Sequence, residues 1–134
     1  MIIEKKYYFY AGHRNKTAGE KCSRLHGHTY DVIVKFKFDK MKDGVTMLFS
    51  DIDKLVEPII KSYDHYLLLH DTDPLCPLLE INDEPFIKLP FETSAENMAI
   101  WLFNQIKNET KLNIIEIQFS ETKSSKIIYN GIKN

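Results

Sequence analysis

The 134-residue chain carries 18 basic against 19 acidic residues, so no global field draws it toward nucleic acid or an anionic membrane. Its length suits a single domain spanning residues 1–134, and its longest apolar run, "YLLLH", is far too short to cross a bilayer. These limits point to a cytoplasmic protein with small-molecule partners, with neither nucleic acid nor membrane among them.

The first element alternates. Tyr7, Phe9, Ala11 and His13 share one parity, which predicts a strand ending at Gly12-His13 with His13 on its apolar face. Residues 14–25, "RNKTAGEKCSRL", have neither strand nor helix periodicity and read as a loop bearing Arg14, Lys16, Lys21 and Arg24. From His28 the alternation returns through Tyr30, Val32, Val34, Phe36 and Phe38, a long half-buried strand that folds back on the first.

After the turn "KDG", residues 45–49 are expected to form a strand. Ser50 and Asp53 resemble a capping box at the head of a helix with the stripe Ile52, Leu55, Val56, Ile59 and Ile60. Pro58 should kink or shorten that helix. Three prolines between His70 and Pro85 mark a loop, and "FIKLPF" a short strand. Thr93 and Glu96 form a second capping box before a helix with Ala95, Ala99, Leu102 and Ile106 on one face. "LNIIEIQFSE" and "SKIIYN" close the chain as two strands joined by a tight turn. The order gives an α+β fold, an antiparallel four-stranded sheet with two helices on one face. Its two open edges suit pairing with further copies of the chain.

The chemistry concentrates in "CSRLHGH", residues 22–28. His26 and His28 share parity, so their imidazoles leave one face roughly 7 Å apart along the strand. A hairpin would bring His13 beside them. Three imidazoles with one open position are the ligand set of a catalytic zinc, although spacing alone is equally compatible with polar surface histidines. Gly27 between them would let the backbone bend. Cys22 and Cys76 read as free thiols rather than a staple, and Cys22 has Lys21 and Arg24 nearby to favour its thiolate. Glu121 ends the row Ile115, Ile117, Phe119 on the core side, where a carboxylate wants a partner.

Together "FYAGHR", "CSRLHGHTYDV", "YDHYLLL", "ETSAENMA" and "IQFSETKSSKIIY" resemble the 6-pyruvoyl-tetrahydropterin synthase superfamily, most closely its 6-carboxytetrahydropterin synthase (QueD) branch. The resemblance runs nearly end to end. It implies a T-fold whose subunits close into a barrel, as a trimer or hexamer. It implies Zn2+ on His13, His26 and His28, Cys22 as general base, and Asp64 with His65 as a proton relay. Glu121, followed by Thr122, would anchor a pterin ring. The implied substrate is 7,8-dihydroneopterin triphosphate, whose triphosphate the basic loop residues could meet. The implied product is 6-carboxy-5,6,7,8-tetrahydropterin, a precursor of 7-deazapurines such as queuosine. The three-residue gap between Cys22 and His26 favours this branch over the animal 6-pyruvoyl enzymes. Glu20 leaves open a side-chain cleavage to 6-hydroxymethyl-dihydropterin, and a non-catalytic pterin- or metal-binding module remains the reading of another class.

Overall fold

Strict alternation builds the two longest strands, β1 (Ile2–His13) and β2 (His26–Lys37), which pair antiparallel over their full length. The computed structural model describes residues 1–132. Beyond β2 lie β5 (Ile114–Thr122) and β6 (Ser125–Tyr129), both antiparallel. These four strands are the expected antiparallel set, but the sheet is larger. β3 (Tyr66–His70) pairs parallel with β1, and β4 (Ile87–Leu89) pairs parallel with β3. The result is a mixed six-stranded sheet in the order β4-β3-β1-β2-β5-β6.

The expectation of four antiparallel strands fails because "YLLLH" is nearly all apolar and lacks alternation. Parallel neighbours need a crossover rather than a hairpin. Helix α1 (Phe49–Lys61) carries the chain to β3, and α2 (Leu75–Ile81) carries it to β4. The segment expected to be a proline-rich loop therefore contains a strand end and a helix. Pro77 is tolerated there because it sits in the first turn of α2, where its missing N–H has no helical acceptor. With α3 (Ala95–Thr110) the described residues hold three helices, not two.

Other local expectations also need correction. Residues 45–49 are not a strand; Val45 makes one isolated bridge to Lys42. Helix α1 begins after Leu48 with no side-chain cap, so Ser50 is inside the helix and caps nothing. Pro58 does not stop α1, which runs on to Lys61. It faces solvent, where water can take the backbone carbonyl that its missing N–H leaves free. Leu55 lies outside the buried stripe of Ile52, Val56, Ile59 and Ile60. In α3 the cap is Ser94, whose side chain accepts the Asn97 N–H, rather than Thr93.

One face of the sheet buries Phe9, Tyr30, Val32, Val34, Phe36 and Phe119 beneath α1 and α3, with Ile52, Ile60, Met98, Leu102 and Ile106 opposite. Phe9 and Tyr30 stack with ring centroids 4.8 Å apart, and Phe119 leans on both. Phe9→Ala should cost about 3–5 kcal/mol, because the cavity would open in the middle of this aromatic group. Urea unfolding measures it, and a cost under 1 kcal/mol would contradict this packing.

Arg14, at the exit of β1, donates from Nε to Asp73 Oδ2 at 2.8 Å and from a second nitrogen to Oδ1. Asp73 also accepts the Leu75 N–H at the head of α2. The guanidinium holds the Asp73 carboxyl below the usual carboxylate range. A depressed folded-state pKa contributes stability above the unfolded value of about 3.9, and that contribution is lost as pH falls through the folded value. Asp73→Asn should therefore destabilise the protein by about 2 kcal/mol at neutral pH. Its loss of stability below about pH 4 should be shallower than the wild type's; parallel profiles of urea midpoint against pH would refute the pairing.

Candidate active site

The β1–β2 register sets His13 directly opposite His26 and Ala11 opposite His28. All three imidazoles leave the core face at one end of the hairpin, in continuation of the Phe9 and Tyr30 rows. Their ring centroids lie 4.6, 5.1 and 4.8 Å apart. One ring nitrogen from each falls within 4.8 Å of the others. The expected convergence is present. Gly27 acts differently from expectation: it does not bend the strand, but a Cβ there would lie 3.3 Å from the Ala11 carbonyl oxygen, so glycine permits close strand approach.

Two of the three rings are oriented from behind. His13 Nδ1 donates to the Thr93 carbonyl at 2.8 Å, with Thr93 Oγ1 at 3.2 Å. His26 Nδ1 donates to the Arg24 carbonyl at 2.6 Å. A carbonyl only accepts, so these contacts place the proton on Nδ1 and leave Nε2 as a lone pair, the tautomer that metal ligation requires. Burial lowers the His13 pKa to about 4 and pushes His28 down as well, keeping both rings neutral at physiological pH. Buried His13 Nε2 and His28 Nε2 have no hydrogen-bond partner. Two buried imidazole nitrogens without a partner among the described residues, on a converging triad with two of its rings oriented by backbone carbonyls, fit a zinc-type ion. Thr93 was assigned to a cap from the sequence; its burial at 0% exposure and its bond to His13 are the role that pattern did not reveal.

A cavity of about 300 Å³ opens in front of this triad. Its walls include His13, His26, Cys22, Glu96, Glu121 and Thr122. Cys22 arrives on the 14–25 loop, whose closure is fixed by the Asn15 N–H donating to the Cys22 carbonyl at 2.7 Å. Glu121 reaches over the imidazoles from β5, and burial raises its pKa. Ile115 does not share its face, because a bulge opposite Lys35 and Phe36 shifts the row. Glu96, whose residue pattern suggested only a cap, lines the cavity instead.

Asp64 and His65 lie elsewhere. They occupy the turn between α1 and β3, as the pattern predicts, with His65 in the left-handed region at φ 66°. Asp64 Oδ2 sits 2.8 Å from His65 Nδ1, and Oδ1 accepts the Tyr10 N–H at 2.8 Å. The Tyr10 N–H, followed by His65, holds Asp64 below the usual carboxylate range. The His65 ring meets Tyr10 edge-on at 5.7 Å. Tyr10 has the parity opposite to His13, so the pair sits on the other face of the sheet from the triad. Of the basic loop residues, Arg14 is engaged by Asp73 and Arg24 by Glu20 at 3.0 Å. Lys16 and Lys21 make no ion pair among the described residues.

A family model described as 6-pyruvoyl tetrahydropterin synthase matches residues 2–132. The chain belongs to the 6-pyruvoyl tetrahydropterin synthase family. It is 31% identical over 132 residues to the 6-carboxy-5,6,7,8-tetrahydropterin synthase of Haemophilus influenzae, covering 92% of this chain and 94% of the relative. It is 28% identical to the protein of the same name from Synechocystis, over 96% of this chain and 92% of the relative. An uncharacterised protein of Wolinella succinogenes has the same fold, with TM-score 0.83 at 20% identity and 98% coverage of both chains. The 6-pyruvoyl tetrahydropterin synthase of Caenorhabditis elegans also superposes, with TM-score 0.71 at 21% identity over 98% of this chain and 96% of that one. Membership in the family supports a lyase-type enzyme of the tetrahydropterin synthase kind. No helix among the described residues is long and apolar enough to cross a membrane.

Proposed function

We propose that this family member is a zinc-dependent 6-carboxy-5,6,7,8-tetrahydropterin synthase. It would convert 7,8-dihydroneopterin triphosphate and water into 6-carboxytetrahydropterin, acetaldehyde and triphosphate, in a route to 7-deazapurines such as queuosine. The observation that carries this reading is the convergence of three imidazoles, two of which line one cavity together with Cys22 and Glu121.

His13, His26 and His28 would hold the ion. When bound, zinc supplies Lewis acidity toward the hydroxyls of the substrate side chain. Glu121 accepts two hydrogen bonds from the pterin ring N–H and its exocyclic amino group, a bidentate arrangement. Thr122 beside it supports that anchor. Cys22, as thiolate, removes a proton from the side chain. Asp64 holds the His65 ring through Nδ1, so that His65 Nε2 can deliver the compensating proton. Since the relay sits on the opposite sheet face from Cys22, a second copy of the chain would supply it. That role also gives the open sheet edges a use, and it accords with a homo-oligomer, a trimer or hexamer closing as a barrel. Lys16 and Lys21, free of acidic partners, remain the loop cations available to the triphosphate.

The test is to incubate zinc-loaded protein with 7,8-dihydroneopterin triphosphate and identify the products by mass. Acetaldehyde with 6-carboxytetrahydropterin is the expected pair. Release of glycolaldehyde, or a 6-pyruvoyl product, would assign the chain to another activity of the family.

A further inference from the structure

We propose that Glu121 is a fourth protein ligand of the metal in the substrate-free enzyme, and that it leaves the ion when the pterin ring arrives. The first half rests on geometry alone; the second rests on the pterin-anchoring reading above.

Glu121 Oε1 lies 3.8 Å from His13 Nε2, and Oε2 lies 3.8 Å from His28 Nε2. His13 already gives its Nδ1 proton to the Thr93 carbonyl, so its Nε2 presents a lone pair toward a carboxylate oxygen that can only accept. Acceptor therefore faces acceptor. Such a contact in a half-buried site is repulsive unless a cation lies between the two atoms. A shared proton does not account for it, because 3.8 Å is too long for a hydrogen bond. A metal ion does: ligands at about 2.0–2.1 Å in tetrahedral array stand roughly 3.3 Å apart, close to the observed separation.

The surroundings agree. No hydrogen-bond donor among the described residues reaches the Glu121 carboxylate, although its side chain is only 28% exposed. The half-buried carboxylate therefore has no compensating group among the described residues until an ion is present. The free enzyme would then hold a closed set of three imidazoles and one carboxylate. A pterin ring offers the same carboxylate two N–H donors, and accepting them frees the fourth position of the ion for the substrate.

The experiment loads wild type, Glu121→Gln and Glu121→Asp with Co(II), records the visible d–d bands, and measures Zn(II) affinity by competition with a chromogenic chelator. Both substitutions should change the bands, and Glu121→Gln should weaken Zn(II) binding by about tenfold or more. Metal-free unfolding midpoints check that each variant folds, and Glu121→Asp serves if Glu121→Gln does not. Identical bands and equal affinities would overturn the ligand role. Adding 7,8-dihydropterin, which has no side-chain hydroxyls, should move the wild-type bands toward those of Glu121→Gln. Unchanged bands with pterin bound, as judged by its fluorescence, would overturn the exchange. Failure of pterin to bind at all would instead count against the proposed function and leave the ligand result standing.

Discussion

Cys22→Ala should lower turnover of 7,8-dihydroneopterin triphosphate by about 10²–10⁴-fold, the range over which a positioned acid or base contributes, while bound zinc stays unchanged. The thiol sits on an exposed turn, outside the group of donor atoms that converge on the ion site. Removing it costs no ligand and no core contact, so stability should move by no more than about 0.5 kcal/mol. Turnover is measured by triphosphate release and zinc by atomic absorption on the same sample. Full activity with full zinc would show that Cys22 is not the base. Loss of zinc together with activity would show that the thiol is bound to the ion.

Mixing should restore what two inactive variants lack. Cys22→Ala and His65→Ala should each fall by about 10²-fold or more. Dissociated together and reassembled in equal amounts, they should recover about one quarter of wild-type activity. A site that takes Cys22 from one chain and His65 from its neighbour is intact in one of four random pairings. The sheet requires this if both residues act at one site, since His65 lies with Tyr10 on the face turned away from the imidazoles. Recovery that stays at background would mean that the relay and the thiol belong to one chain, and a His65→Ala variant as active as the wild type would mean that His65 takes no part.

The central hairpin was legible because its rows alternate without interruption. Phe9, Ala11 and His13 on one strand, and Tyr30, His28 and His26 on the other, can be assigned to one face from parity alone. The metal triad followed from that assignment. The β3 strand was not legible, since "YLLLH" is buried at Leu68 and Leu69 without an exposed partner row to produce a period, whereas β4 falls inside the short strand expected at "FIKLPF". Helix α2 was hidden by prolines that fall at its N-terminus rather than in its interior. At the site, Thr93 escaped notice because its decisive contact is a backbone carbonyl 80 residues along the chain from His13, and a carbonyl leaves no mark in a sequence. Asp64 and His65 were correctly set in a turn, but which face of the sheet that turn overlooks depends on the parallel pairing of β3 with β1.

The histidine rows continue the rows that pack the aromatic core: His13 lies four residues past Phe9 on β1, and His28 and His26 lie two and four residues before Tyr30 on β2. An ion held by these histidines would therefore share one structural unit with the fold, tying β1 to β2 at the end of the hairpin. Anything that binds only the folded chain stabilises it by mass action, by about 4 kcal/mol at a thousandfold excess over its dissociation constant. Zinc should therefore act as a clasp on the hairpin as well as a reagent.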